Sequence, residues 1–285
     1  MKLGVRAHDL ASNVTLQEFV SIIDSYGFNL VQLVFKKSFS DYSYDKDYVE
    51  KAASLFDQHK IKVARLGAYF NPVHSDKEVV RKGIENFKKN IDIAKYFGYP
   101  LVGSETGSYS DSPWVYHPKN RTEEGYQESK SIFRELTKYA KEKGVSLAIE
   151  SAFGHVRYDA KRQARLLSEL NSDNVYATID LYNLLDVSNF EQRNEIFKDA
   201  LMELGSKVKI IHLKDGYVKD GKLRQTSPGK GEFDYPFRRE CVKKYAPDAT
   251  RIFEGVKACD ILSAKTLVEG LIPGLKGRNQ VTKTN

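Results

Sequence analysis

Four side chains able to hold a cation close four apolar runs of the chain: Glu150 after Val-Ser-Leu-Ala-Ile, Asp180 after Tyr-Ala-Thr-Ile, His212 after Lys-Ile-Ile, and Glu254 after Arg-Ile-Phe. Three carboxylates and an imidazole that converged without a basic partner would repel, and each acid would be driven toward its protonated form. A divalent cation removes that conflict. An O/O/O/N ligand set suits Mn²⁺, Mg²⁺, Co²⁺ or Zn²⁺. Such an ion, bridging a carbonyl and a neighbouring hydroxyl oxygen, would act as a Lewis acid and stabilise the enediolate left when a proton departs from carbon. A glutamate oxygen not committed to the metal can take that proton, and a second carboxylate on the other face can return one. Return to the same carbon inverts a centre; return to its neighbour moves the carbonyl. Any one strand-end acid could simply cap the next helix, so the expectation rests on the four together.

The elements that must position them follow from an alternation of amphipathic and apolar segments. In SYGFNLVQLVF, YFGYPLVGSET and EKGVSLAIES, a glycine (Gly27, Gly98, Gly144) stands between a helical pattern and a β-rich run. A helix C-terminus in the left-handed conformation favours glycine, which has no Cβ to clash. The runs that follow are short and continuously apolar, as expected of parallel strands buried on both faces. Eight can be counted: Lys2–Ala7, Leu30–Phe35, Lys62–Ala68, Leu101–Ser104, Val145–Glu150, Val175–Asp180, Val208–His212 and Arg251–Glu254. Between them, Thr15-Leu-Gln-Glu18 and Ser75-Asp-Lys-Glu78 read as capping boxes. Ile84, Phe87, Ile91 and Ala94, and likewise Ile132, Leu136, Tyr139 and Ala140, recur at helical spacing. Alternating strands and helices with right-handed crossovers predict a single (β/α)8 barrel domain over residues 1–275, followed by a basic tail, 276–285.

A doubly wound open sheet is the competing architecture, but no G-x-G-x-x-G follows the first strand. Gly216-Tyr-Val-Lys-Asp-Gly221-Lys222-Leu223 nearly spells a phosphate loop, yet Leu223 replaces the hydroxyl that would hold Mg²⁺. It reads as a surface turn. In a (β/α)8 barrel the chemistry sits at the C-terminal strand ends, and the four candidate ligands end adjacent strands five to eight.

Composition agrees with an enzyme core. Of 285 residues, 41% are hydrophobic, which excludes disorder and fibrous repeats. The net charge of +7 permits attraction to phosphates. However, the lysines (Lys82, Lys88, Lys89, Lys95) scatter along helical faces, as a solvated surface would. No apolar run reaches the roughly 20 residues of a membrane span, and MKLGVRAHDL lacks a secretory apolar stretch. With only Cys241 and Cys259, no disulfide framework is implied and a cytoplasmic setting is expected.

At this point the chain resembles the xylose isomerase-like barrel superfamily of sugar isomerases and epimerases, with endonuclease IV as a more distant relative. The matching stretches are Leu147-Ala-Ile-Glu150, Ile179-Asp180-Leu-Tyr-Asn183, Ile211-His212-Leu-Lys214-Asp215, Pro228-Gly229-Lys-Gly231 and Phe253-Glu254. The resemblance implies that Glu150, Asp180, His212 and Glu254 hold one catalytic metal. It also implies, from the ketose epimerase branch, that Glu150 and Glu254 exchange the substrate proton from opposite sides. The chain departs from that branch at Asn183, where many members carry histidine; Asn183 is the candidate substrate contact at this position. Lys214, His155, Arg157, His8 and Glu105 are further candidates for binding a carbohydrate, and Asp215 for supporting the site. Tyr69, Phe70, Trp114, Phe153, Tyr182 and Tyr217 could wall the sugar.

The expected activity is therefore a metal-dependent sugar or sugar-phosphate isomerase or epimerase. An inosose-type dehydratase in the same barrel is the alternative. Abasic-site phosphodiester cleavage would need further strand-end histidines, and the chain has Asn71, Glu105, Asn183 and Lys230 there. His74 and His117 lie further out in the loops. A small carbohydrate is the expected partner, with neither membrane nor nucleic acid, and self-association remains open.

Overall fold

The computed structural model describes residues 2–110, 112 and 114–271. The predicted strands form in order: β1 (Leu3–Arg6), β2 (Leu30–Leu33), β3 (Lys62–Gly67), β4 (Leu101–Gly103), β5 (Leu147–Glu150), β6 (Val175–Asp180) and β7 (Val208–Leu213). A hairpin of β8 (Asp215–Lys219) and β9 (Lys222–Thr226) follows, and then β10 (Thr250–Phe253). β1 to β7 and β10 are all parallel and close into a barrel, with β10 pairing to β7 on one side and β1 on the other. The hairpin stands outside the ring. Its turn, Asp220 at φ 52° and Gly221 at φ 64°, has positive φ at both central positions, as a type I′ hairpin requires. The near phosphate-loop motif is this turn.

Parallel neighbours need a crossover, and helices supply it. They are α1 (Leu16–Ser25), α2 (Phe35–Ser38), α3 (Lys46–Gln58), α4 (Lys77–Ile93), α5 (Glu123–Glu142), α6 (Ala160–Leu170), α7 (Arg193–Leu204), α8 (Tyr235–Tyr245) and α9 (Ile261–Gly270). Each long helix buries one stripe: Phe19, Val20 and Ile23 on α1, Phe87 and Ile91 on α4, Phe133, Leu136 and Ala140 on α5. The stripes enclose the ring in apolar side chains, with Phe19 stacked on Phe56 at 5.3 Å between centroids. The Thr15–Glu18 capping box forms, and Thr15 N–H donates to Glu18 Oε2 at 2.8 Å. At the second expected box Asp76, one residue on from Ser75, is the N-cap, accepting from Glu78 N–H at 2.8 Å. Gly27, Gly98 and Gly144 all have positive φ, between 67° and 75°, which lets each helix end release the chain into the next strand.

Strand ends differ from expectation in three places that matter below. β1 stops at Arg6, so His8 falls in the 3₁₀ turn Ala7–Asp9 rather than at a strand end. β2 stops at Leu33 and Phe35 opens α2. Glu254 lies one residue beyond β10. No helix among the described residues is long and apolar enough to cross a membrane. Cys241 is buried, Cys259 exposed, and both are free. The basic tail 276–285 lies outside the described residues.

Candidate active site

Register brings the strand-end acids together. In the β6–β7 ladder Asp180 pairs directly with His212, and in β10–β7 Ile252 pairs with His212, which sets Glu254 just beyond it. Glu105, after β4, bridges to Glu150. Ligand atoms of Glu150, Asp180 and His212 all lie within 4.8 Å of one another, and all three residues are buried. His212 Nδ1 is 3.3 Å from Asp180 Oδ2 and 3.5 Å from Glu150 Oε2. His212 Nδ1 is cut off from water and makes no hydrogen bond, and the buried Asp180 Oδ2 has only the Lys214 ammonium beside it, at 2.8 Å. Buried polar atoms rarely stay unsatisfied, and an ion between these oxygens and this nitrogen would give that nitrogen a partner. The residues present fit a divalent metal.

Glu254 stands on the other side of the imidazole. Its Oε2 is 3.2 Å from His212 Nε2 and accepts from Gln32 Nε2 at 3.0 Å, while Oε1 pairs with Arg6 at 2.9 Å and Lys214 at 3.0 Å. The four side chains thus converge at one rim, three around one point and the fourth held by cations.

Those cations correct the premise that the acids meet without a basic partner. Lys214 Nζ is 2.8 Å from Asp180 Oδ2, and Arg65 Nη1 is 3.4 Å from Glu150 Oε2. Arg65 rises from β3 through the middle of the barrel with no exposed surface. It passes there because β4 carries Gly103 at the same level: a Cβ would stand 2.2 Å from Ala148 O and 2.4 Å from Arg65 Nε. Repulsion among the acids is therefore already offset by the chain itself. The case for a metal rests on the clustered ligand atoms and the unpartnered His212 Nδ1, and not on charge.

The field of these groups sets their protonation. Burial would raise Glu254 and Asp180, but the nearby His212, Lys214 and Arg6 charges hold Glu254 well below the usual carboxylate range, and Lys214 with His212 lowers Asp180. Burial disfavours the imidazolium of His212, yet Glu254 and Glu150 overcome it and push His212 up to about 9. Glu105 goes the other way. Burial, then Glu150 and Glu254, push it up to about 8, so it is mostly protonated at neutral pH.

Above this cluster opens a cavity of about 770 Å³. Of the expected substrate contacts it takes in Asn183, Lys214 and Glu105, and of the expected aromatics Tyr69, Phe70, Trp114, Phe153 and Tyr182. Asn183 Nδ2 donates to Glu150 Oε1 at 2.7 Å, so it holds the carboxylate in place. His155, Arg157 and His8 are not part of the wall. Arg157 is fully buried on the helix side, where it donates to Ser129 Oγ at 2.9 Å and lies against the Tyr126 and Phe133 rings. Burial lowers it to about 9. His155 is buried beneath Trp114, with ring centroids 4.9 Å apart. With the strand ended at Arg6, that residue takes the wall position expected for His8. Arg6, Gln32 and Arg65 were missed because each sits inside an apolar run. A charged residue at a doubly buried strand position has to enter the barrel and find a counter-charge, and that signal could have found Arg65.

Residues 20–257 match the family model of the xylose isomerase-like TIM barrel. The chain belongs to that family. No curated protein sequence matches it. Among solved structures, this xylose isomerase-like barrel is similar to an IOLI protein with a binding zinc atom, at 20% identity and TM-score 0.73, over 96% of this chain and 100% of the other. It is also similar to a D-tagatose 3-epimerase-like protein (15%, TM-score 0.73, 95% and 97% covered) and to L-ribulose 3-epimerase (17%, TM-score 0.69, 99% and 88% covered). At such identities the likeness speaks for the fold.

Within this xylose isomerase-like barrel, Asp215 of the His-x-Lys-Asp stretch is a structural clamp and does not face substrate. Fully buried, its Oδ1 accepts from Gly216 N–H at 2.8 Å and Phe233 N–H at 3.0 Å, and its Oδ2 from Gly229 N–H at 2.9 Å. Gly231 lets the loop close on it, since a Cβ there would lie 2.3 Å from Asp215 Oδ1. Replacing Asp215 by Ala strands three backbone donors and should cost roughly 3 kcal/mol. A fall in the urea midpoint at unchanged slope checks this; an unmoved midpoint contradicts the clamp.

Proposed function

We propose that the chain is a divalent-metal-dependent isomerase or epimerase of a carbohydrate. The carrying observation is the buried cluster of Glu150, Asp180 and His212 ligand atoms with its unpartnered His212 Nδ1, and the zinc of the similar IOLI structure supports it. Glu150, Asp180 and His212 would hold the ion at the Nδ1 side of the imidazole, and Glu254 stands at its Nε2 side. When bound, the metal supplies Lewis-acid stabilisation of negative charge on substrate oxygens.

The chain's own residues do the rest. Glu254, kept ionised by Arg6 and Lys214, is the base that takes a proton from carbon, and Glu150 is the partner carboxylate across the site. Lys214 and Asn183 orient substrate hydroxyls from the cavity wall. Tyr69, Phe70 and Phe153 cover the C–H faces of the sugar and keep water away. Glu105, a protonated carboxyl at the floor, donates to a substrate oxygen. Two carboxyls whose surroundings push their proton affinities apart, Glu254 down and Glu105 up, is the pattern of a base and an acid sharing a site.

That acid also favours a second reading, dehydration, because a hydroxyl leaves more readily when protonated. Candidate sugars and inososes incubated in D₂O separate the two: an isomerase incorporates deuterium with no loss of water, a dehydratase loses it. Phosphodiester cleavage is not supported. His74 and His117 are occupied as local caps, accepting from Asp76 N–H and Lys119 N–H, and the described residues form only one metal-capable group.

Metal analysis of protein purified without chelator tests the reading directly: one divalent ion per chain is expected, lost in His212→Gln. Metal-free protein, and a His212→Gln variant that binds metal as well as wild type, are the results against it. The pH dependence is also fixed in sign. His212 must shed the proton it holds up to about 9, so metal affinity should rise about tenfold per pH unit through neutrality and level off above about 9. Titration of Mn²⁺ at several pH values reads this slope; a flat profile contradicts His212 as a ligand.

A further inference from the structure

The cations of the barrel rim differ in how far they are paired. In ring order β2 lies four places from β6, directly across the mouth. Asp180 ends β6, Glu150 ends β5 and Asp186 follows β6, so three acids lie on that half, with His212 and Lys214 of the neighbouring β7 end beside them and Glu254, after β10, between the halves. The opposite half carries cations from three adjacent strands: Arg6 on β1, Lys36 and Lys37 after β2, and Arg65 on β3. Arg6 and Arg65 are committed to Asp9, Glu254 and Glu150. Lys36 and Lys37 are not. Both line the cavity, and neither has a carboxylate within ion-pair reach among the described residues.

Their placement is built in. α2 buries Phe35 and Ser38, which leaves the two lysines between them on the open side. The segment is tied to the β1–α1 loop by Asn13 N–H to Lys37 O at 3.0 Å, Val14 N–H to Ser38 O at 3.0 Å and Ser12 Oγ to Lys37 O at 3.1 Å. Lys37 Nζ sits 5.8 Å from the centre of the Tyr69 ring. The hydroxyl of that ring accepts from Gln32 Nε2 at 3.0 Å, and Gln32 Nε2 in turn donates to Glu254. The Lys37 ammonium thus stands one aromatic ring away from the proposed base. That separation suits a substrate whose reacting carbons lie at the acidic half and whose far end reaches the basic half. His8, beside this wall, is pushed down to about 3 by burial and then by Arg6 and Lys37, which agrees with a positive potential there. Like charges held together in a cavity without a counter-ion favour an anion from outside.

We propose that Lys36 and Lys37 bind an anionic group of the substrate, a phosphate ester or a sugar carboxylate, at the wall opposite the metal group. The inference rests on the proposed carbohydrate function and narrows its substrate class to acidic sugars. Phosphate and carboxylate share the chemistry, and two probes separate them.

Isothermal titration of the full chain with inorganic phosphate and with D-glycerate should show saturable binding of at least one. In Lys36→Gln/Lys37→Gln that binding should weaken at least about tenfold. Stronger phosphate binding points to an ester, stronger glycerate binding to a sugar acid. Binding of neither, or equal binding by wild type and double variant (as for an anion seated on the metal), overturns the proposal. Metal content, read on the same preparations, keeps the two ideas apart. Metal present with lysine-independent anion binding removes only the basic wall. Metal absent with lysine-dependent binding removes the enzyme reading and leaves the wall.

Discussion

Replacing Glu254 by Gln should cut solvent-proton exchange into substrate by about 10²–10⁴-fold while the barrel stays folded and keeps its metal. The amide retains the shape of the carboxylate, and its one oxygen can still accept from Arg6 and Lys214 at 2.9 and 3.0 Å, while the bond from Gln32 is lost because an NH2 group then faces it. What it loses is the ability to take a proton. Glu150, Asp180 and His212 are untouched, so metal content should remain near wild type. Deuterium incorporation measured by NMR, beside metal analysis and circular dichroism, checks the three parts at once. Undiminished exchange would remove Glu254 as the base. Loss of metal together with exchange would instead make it an indispensable ligand.

The second large effect concerns stability. Arg65→Met keeps the bulk of a long side chain in the barrel but removes the charge that faces Glu150, 3.4 Å away. Breaking a buried ion pair by deleting one partner typically costs about 3–5 kcal/mol, because the other charge is left without compensation. Lys214 and Arg6 remain, yet both are already engaged with Asp180 and Glu254. Urea unfolding of the metal-free variant should show this loss. Added Mn²⁺ should recover a larger share of stability in the variant than in wild type, since the ion then supplies the missing positive charge. A variant as stable as wild type without metal would mean that Arg65 does not compensate the acids.

The acidic half of this site could be read from sequence and the basic half could not, for a physical reason. Glu150, Asp180, His212 and Glu254 end apolar runs, where the change from buried strand to solvent-facing loop makes a polar residue conspicuous. Arg6, Gln32 and Arg65 lie within runs flanked by apolar neighbours, and only the closed ring decides that these positions point inward. His8 was placed at a strand end because its run continues smoothly past Arg6, but the chain turns into a 3₁₀ segment at Ala7. Arg157 looked like a loop residue near Glu150, and the loop instead folds it back against α5. Strand order was legible because glycines such as Gly98 and Gly144 punctuate it. Lys36 and Lys37 carry no sequence signal of a site, and only α2 turns them toward the cavity.

The Arg6–Glu254 pair joins the opening strand of the ring to its closing one, and Asp9 repeats the stitch by accepting from Gly255 N–H at 2.7 Å. The pocket therefore straddles the seam at which the cylinder shuts. A polypeptide emerging from the ribosome can fold much of its length and still lack a complete pocket, because Glu254 and the arginine that steadies it meet only when the final β-segment docks. Completion of the pocket is then a report on ring closure itself.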